Sequence, residues 1–84
     1  MDDLRLRNTI KVQRAIRDLT QADLAVLAGV TRRSINAIET GRMVPSVFLA
    51  LKIAYALGVS VETIFTIDGT QESTAPASSE GRTP

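Results

Sequence analysis

The sequence predicts an all-α fold, a compact domain of five short helices followed by a disordered C-terminal tail. Residues that favour helix starts and helix ends recur at short intervals from Thr20 to Ser60, and the segments between them have the length of a short helix. From Gly69 onward there is no large apolar side chain. That segment cannot bury enough surface to offset the entropy of ordering, so we expect it to stay unfolded.

The caps divide the domain into its helices. Thr20 can cap a helix in which Asp23 takes the third position, as in a capping box, and Gly29 is placed to end that helix. The same pattern of cap and stop continues at Thr31, Gly41, Ser46, Gly58 and Ser60. An upstream helix is predicted from an irregular apolar pattern, Ile10, Val12, Ile16 and Leu19. The predicted helices cover residues 8–18, 21–28, 32–40, 46–57 and 61–65.

Either end of the domain could instead be extended. Residues 4–7 read LRLR and residues 64–67 read IFTI, so each could form a short strand and pair across a dimer. We favour frayed helix ends over strands. The predicted organisation is an N-terminal extension over residues 1–7, a helical domain over residues 8–67 and a tail over residues 68–84.

The composition excludes several function classes. The 84 residues include no cysteine and no histidine, which removes disulfides, thiol nucleophiles, zinc fingers and histidine-based catalytic or metal sites. A chain of this length has little room for an enclosed active site, so we expect neither an enzyme nor a cofactor. No apolar run approaches the ~20 residues of a membrane span, and the start, Met1-Asp2-Asp3, is acidic. We therefore expect a cytoplasmic protein with no membrane partner.

The charge is concentrated in the first half of the chain. The overall net charge is only +1, but residues 5–42 contain eight basic residues against three acidic ones. This segment therefore carries the electropositive surface.

Two adjacent arginines stand within a helix, tight turn and helix over residues 21–40. At about 100° per residue, Ile35 and Ile38 mark the buried side of the second helix. The opposite side carries Arg33, Asn36 and Ala37, with Arg32 at its edge. Arginine at a helix start is disfavoured by the helix dipole by roughly 0.3–1 kcal/mol, so the pair suggests an external anion. Arginine and asparagine also suit base edges, and the surface is suited to the DNA major groove.

The run from Leu19 to Phe65 resembles the Xre family of helix-turn-helix regulators, which includes the phage lambda repressor and Cro. The resemblance is carried by TQADLA, AGVTRRSI, IETGR and KIAYALGVS. It implies a five-helix bundle whose third helix enters the major groove. It also implies a dimer bound to a two-fold symmetric stretch of double-stranded DNA, with half-sites about one DNA turn apart.

The resemblance also assigns roles to individual residues. Arg14 and Glu39 are implied to form a structural pair that ties the first helix to the third. Ala37 stands where several relatives carry a polar side chain, and its methyl group could contact only a thymine methyl. The implied base-reading residues are Arg32, Arg33, Asn36 and Ala37, and the implied phosphate or positioning contacts are Gln21, Thr31, Ser34, Thr40 and Arg42.

The fourth predicted helix is apolar on more than one side. Val47, Ala50, Ala54 and Leu57 can pack on the core, whereas Phe48, Leu51 and Tyr55 point elsewhere. We expect these three side chains to form part of a homodimer contact. The alternative is that an N-terminal or C-terminal extension folds back over them.

The sequence thus favours a sequence-specific DNA-binding transcriptional regulator, most simply a repressor, which would be nucleoid-associated when bound to DNA. One alternative is the antitoxin of a toxin–antitoxin pair, whose tail would fold on a toxin partner. Another is a protein-interaction adaptor that uses the same fold without DNA.

Overall fold

A computed structural model describes residues 3–70 of the chain. Its elements are β1 (Asp3–Asn8), α1 (Ile10–Ile16), α2 (Gln21–Ala28), α3 (Arg32–Glu39), α4 (Val47–Leu57), α5 (Val61–Ile64) and β2 (Phe65–Thr70). The prediction of five helices is confirmed, and each helix ends within two residues of its predicted bounds.

The two ends of the domain form strands, so the preference for frayed helix ends is wrong. Strands β1 and β2 pair antiparallel within one chain, and the register places Leu6 opposite Ile67. The fold is therefore a helical bundle with a two-stranded sheet added to it. Strand β2 continues to Thr70, beyond the predicted domain end at residue 67. The rest of the predicted tail, residues 71–84, lies outside the described residues.

Helix α1 is shorter than predicted because Asn8 fixes where it begins and Asp18 fixes where it ends. Asn8 ends β1, and its Oδ1 accepts a hydrogen bond from the Ile10 backbone N–H at 3.1 Å while its Nδ2 donates to the Ile38 carbonyl at 3.0 Å. At the other end Asp18 adopts a left-handed conformation with φ 57°. Aspartate tolerates this conformation better than most residues, and it stops the helix after Ile16.

The core lies between the helices and beneath the sheet. Helix α2 packs against both α3 and α4. Full burial of each large aliphatic side chain contributes about 1.5–3 kcal/mol. The buried cluster consists of Ile10, Leu24, Ala25, Ala28, Ile35, Ile38, Ile53, Ala54, Leu57 and Ile64.

Three apolar residues that the sequence placed on inward-facing patterns are exposed. Val47 is the first residue of α4 and is 76% exposed, whereas Ile53, which the sequence pattern did not assign to the core, is fully buried. Val12 and Ile16 also face solvent, because only the first residue of α1 reaches the core.

The predicted caps position the central helices. Thr20 and Asp23 form the capping box of α2, and Gly29 ends that helix in the left-handed region at φ 70°. Thr31 accepts from the Ser34 N–H and Ser46 from the Leu49 N–H. Ser60 makes no such bond to the α5 backbone, and its hydroxyl lies 3.0 Å from that of Thr63 instead.

Candidate nucleic-acid interface

The central part of the site is the pair of helices α2 and α3 and the turn between them. Gly29 takes a positive φ, which an L side chain rarely adopts. The next N–H, that of Val30, donates to the Ala25 carbonyl at 3.0 Å. Thr31 then starts α3 in an extended conformation. Two buried side chains, Ile35 and Ile38, hold α3 on the core, so the opposite side of the helix faces outward.

The outward face of α3 carries the two arginines. Arg32 and Arg33 are exposed, and they line a shallow, open polar depression together with Asn36 and Gln21. Ala37 lies beside this depression and is half-buried. The structure thus brings residues of α2 and α3 together on one surface that is open enough for a large partner.

The remaining polar residues of the site lie at the two ends of α3. At its start, the Thr31 hydroxyl donates to Ser34 Oγ at 2.9 Å. At its end, the Thr40 hydroxyl donates to the Asn36 carbonyl at 2.8 Å, and Arg42 Nε donates to Thr40 Oγ1 at 3.1 Å. These contacts are local, so the Arg42 side chain stays exposed beside the last turn of α3.

The flank of α3 that adjoins Asn36 is tied to α1 by Arg14 and Glu39. Arg14 Nε donates to Glu39 Oε2 at 2.7 Å and Arg14 Nη2 to Oε1 at 3.1 Å, so the pair is bidentate. The two side chains are only 14% and 7% exposed. Arg14 Nη1 also donates to the Leu19 carbonyl at 2.9 Å, which joins the end of α1 to the same cluster.

Glu39 is held in its ionised form by this cluster. Burial raises the pKa of Glu39, but the hydrogen bonds from Arg14 and Gln21 and the positive charge of Arg14 outweigh burial and lower the pKa below its ordinary value. The same hydrogen bond raises the pKa of Arg14. The carboxylate of Glu39 is therefore a permanent acceptor at neutral pH.

Gln21 links this cluster to the outward face. Its Nε2 donates to Glu39 Oε1 at 3.1 Å and to Asn36 Oδ1 at 3.2 Å. Both hydrogens of the Gln21 amide are thus used within the protein. The donors still available near Gln21 are the backbone N–H groups of the first turn of α2.

Sequence reasoning treated Gln21 and Asn36 separately. The one signal that they belong together is that Asn36 and Glu39 lie three residues apart on the same flank of α3.

A second exposed surface lies on α4. Phe48, Leu51 and Tyr55 are 73%, 50% and 89% exposed. They line an apolar groove with Val59 and Val61. Within residues 3–70 neither strand covers these side chains. The alternative in which the C-terminal tail folds back over them lies outside the described residues.

Lys52, the single charge of α4, was not predicted to have a partner. Its Nζ donates to the Gly29 carbonyl at 3.0 Å and lies 5.0 Å from the centre of the Phe48 ring. A cation is favoured at the C-terminal end of a helix, so Lys52 stabilises the end of α2 while its charge sits beside the groove.

Within residues 3–70 no helix is long and apolar enough to cross a membrane. The same residues contain no group of three or more acidic side chains placed to hold a metal ion.

Comparisons with known proteins identify the family. The helix-turn-helix family model matches residues 10–64. An uncharacterized HTH-type transcriptional regulator of Methanocaldococcus jannaschii is 50% identical over 60 residues, which cover 71% of this chain and 91% of the relative. The HTH-type regulator YgzD of Bacillus subtilis is 40% identical over 63 residues, or 75% and 96% of the two chains.

Solved structures agree. The restriction-modification controller protein C.AhdI of Aeromonas hydrophila has a TM-score of 0.62 at 30% identity, over 64% of this chain and 82% of that one. The hypothetical transcription factor NHTF from Neisseria has a TM-score of 0.61 at 28% identity, over 64% and 62%. The relatives are regulators rather than enzymes. The chain belongs to the helix-turn-helix transcriptional regulators of the Xre and lambda-repressor type.

Proposed function

We propose that the protein is a transcriptional repressor that binds a two-fold symmetric operator as a homodimer, with α3 in the major groove. The observation that carries this proposal is the outward face of α3, where Arg32, Arg33 and Asn36 line one open depression with Gln21 of α2, which donates a hydrogen bond to Asn36. Occupation of a promoter by such a dimer would exclude the polymerase.

The charges on α3 support an anionic partner. Arg32 and Arg33 lie at the helix start, where the dipole disfavours positive charge, and both are exposed. Neither takes part in the two salt bridges formed within the described residues, which join Arg7 to Asp68 and Arg14 to Glu39. Phosphates and guanine edges would supply the missing acceptors.

The exposed groups divide into two kinds of contact. The outward face of α3 is suited to reading bases, with arginine and asparagine as donors and the Ala37 methyl for a thymine methyl. The groups at the ends of α3, together with the backbone N–H groups at the start of α2, are suited to phosphates, which position the protein on the duplex. The proposed phosphate contacts are Gln21, Thr31, Ser34, Thr40 and Arg42.

The apolar face of α4 is the proposed dimer contact. Phe48, Leu51 and Tyr55 form one exposed stripe beside a groove. An isologous contact between two copies would bury this stripe against itself. Two copies of α3 would then read the two halves of the operator.

Selection from random DNA duplexes at low salt tests the proposal. We expect enrichment of one palindromic motif whose half-sites lie about one DNA turn apart. Enrichment of a single asymmetric site would contradict the dimer. If no sequence is enriched, DNA binding itself is refuted, and the adaptor alternative becomes the better explanation of the apolar face.

Two arginine variants test the division of contacts. Arg33→Ala should weaken binding to the preferred site by roughly 1–3 kcal/mol and relax the preference at one base position. Arg42→Ala should weaken all sites equally and reduce the dependence of affinity on salt. Both side chains are exposed, so neither variant should change stability by more than about 0.5 kcal/mol. Identical behaviour of the two variants would refute the division.

The dimer contact is tested by Phe48→Glu, with Val47→Glu as a matched control. Both residues are exposed on α4, but Val47 does not line the groove. Phe48→Glu should sediment as a monomer with an unchanged circular dichroism spectrum, because a buried carboxylate in an apolar contact is costly. Val47→Glu should sediment like the wild-type protein. A Phe48→Glu variant that still dimerises would exclude this face.

A further inference from the structure

We propose that Gln21 determines which hydrogen-bonding group Asn36 presents to DNA, so that a residue of α2 sets the base preference of a residue of α3. By holding Asn36 Oδ1 toward α2, Gln21 leaves only the amide N–H groups of Asn36 facing outward. Gln21 is thus a positioning residue for specificity. The inference rests on the proposed binding of α3 in the major groove.

The direction of the hydrogen bonds between Glu39, Gln21 and Asn36 is set by Glu39. Glu39 is ionised and bound by Arg14 through both carboxylate oxygens. An ionised carboxylate only accepts hydrogen bonds. The Gln21 atom that lies 3.1 Å from Glu39 must therefore be its amide nitrogen, Nε2, rather than its carbonyl oxygen.

The same nitrogen fixes the orientation of the Asn36 amide. Gln21 Nε2 has a second hydrogen, and this hydrogen points to an Asn36 atom 3.2 Å away. Only the oxygen of the Asn36 amide can accept it. With the amide reversed, two NH₂ groups would face each other and one hydrogen bond would be lost. Arg14, Glu39 and Gln21 thus form a relay that ends at Asn36.

The group left free on Asn36 is its Nδ2. The structure gives Nδ2 no hydrogen-bond partner among residues 3–70. Every fully enclosed side-chain nitrogen or oxygen in that region has a partner, so Nδ2 must be accessible. It therefore opens into the depression that Asn36 shares with Arg32 and Arg33. Both of its hydrogens are available to a partner.

Because Asn36 presents only donors to DNA, it can form hydrogen bonds only with base edges that carry acceptors. The usual paired contact of asparagine with adenine uses both the amide oxygen and the amide nitrogen, and here the oxygen is already engaged. Guanine presents two acceptors in the major groove, adenine and thymine present one each, with an amino donor beside that of adenine, and cytosine presents only an amino donor. We therefore expect Asn36 to prefer guanine over cytosine at the base it faces, with thymine and adenine between them.

One variant should reverse that preference. In Asn36→Asp, Gln21 still donates to one carboxylate oxygen and the other oxygen faces outward as an acceptor. This variant should prefer cytosine or adenine, whose amino groups are donors, over guanine at the position in question by roughly ten-fold.

Gln21→Met is the matched control for simple loss of the relay. It keeps the length of the side chain but removes both donors, so Asn36 can present either end of its amide. Discrimination between guanine and cytosine should then fall to about two-fold or less at that position, with the other positions of the motif unchanged. Circular dichroism and urea unfolding of each variant confirm that the fold is kept.

The measurement is selection from random duplexes with the wild-type protein and these variants. The base read by Asn36 is first located as the position that loses preference in Asn36→Ala. Reversal in Asn36→Asp, with loss in Gln21→Met, supports the relay. An unchanged preference at that position in Gln21→Met overturns the relay while leaving DNA binding intact. A uniform loss at all positions also overturns it, since Gln21 would then act only through phosphates. If the wild-type protein enriches no sequence, the proposed function fails first and the inference fails with it.

Discussion

Helices α3 and α4 are both anchored in the same core, yet they expose opposite chemistry. Outside its buried isoleucines, α3 presents arginines and an asparagine whose donors are free. Outside its own buried side chains, α4 presents Phe48, Leu51 and Tyr55. A polyanion suits the first surface and an apolar partner suits the second. Under the proposed function, one small domain would separate recognition of DNA from assembly by placing them on different helices.

The two helices are also attached by different forces. Helix α4 spans 11 residues and buries four of them, so burial of apolar surface holds it. Helix α3 spans 8 residues and buries only Ile35 and Ile38. It depends in addition on the Arg14–Glu39 pair and on Gln21. The position of α3 should therefore respond to charge and to pH, whereas that of α4 should not.

The largest expected effect comes from removing this pair. Glu39→Ala leaves Arg14 largely buried without its partner and should lower the free energy of unfolding by about 3–5 kcal/mol, as measured by urea unfolding. Glu62→Ala is the matched control, because Glu62 is exposed and should change stability by less than about 0.5 kcal/mol.

A double-mutant cycle measures the coupling within the pair. Arg14→Ala combined with Glu39→Ala should cost clearly less than the two single changes added together, because the double variant leaves no unpaired charge. Additive costs would show that α3 is held without the pair and would remove the contrast with α4.

The second effect is a dependence of stability on pH. The pKa of Glu39 is lower in the folded protein than in the unfolded chain. Its contribution is therefore complete above the unfolded value of about 4.3 and is lost as the pH falls through the folded value. Between pH 7 and pH 3 the wild-type protein should lose more stability than Glu39→Gln. The pKa of Asp23 is also lowered, by its capping hydrogen bonds with Thr20, but it is present in both proteins and cancels. Parallel pH curves would contradict this assignment.

The smallest effect compares the caps of the two helices. Thr31→Ala and Ser46→Ala each remove one side-chain cap, and each should lower the free energy of unfolding by about 1 kcal/mol. Their effects on DNA binding should differ, because Thr31 lies at the start of α3, the helix proposed to enter the major groove, and Ser46 lies at the start of α4. Affinity measured by fluorescence anisotropy should fall only for Thr31→Ala. An equal fall for both variants would mean that stability alone accounts for it.

The helices could be predicted because their signals are local. Thr20, Asp23 and Gly29 mark the ends of α2 within a few residues of sequence, and those signals act in the structure as expected. The outward position of Arg33 and Asn36 follows from helical geometry once Ile35 and Ile38 are placed inside. Such reasoning needs only the spacing of residues within one helix.

The remaining features depend on residues far apart in the chain. The alternation in residues 4–7 is too short to distinguish a strand from a frayed end, and its partner strand lies some sixty residues away. The contacts of Gln21 with Asn36 and of Lys52 with the Gly29 carbonyl depend on how closely two helices approach. The exposure of Val47 reflects the angle at which α4 meets the core. None of these features has a local signal.

The antiparallel pairing of Asp3 with Thr70 makes the first and last described residues neighbours in space. The arrangement of the elements in space therefore does not require that the chain begin at β1 and end at β2. A circularly permuted protein, in which a short linker joins Thr70 to Asp3 and the chain is opened in an exposed turn between helices, would retain every contact of the bundle. It would also bring β1 and β2 together as a local hairpin, which converts the most distant contact of the fold into one of its nearest and should speed folding.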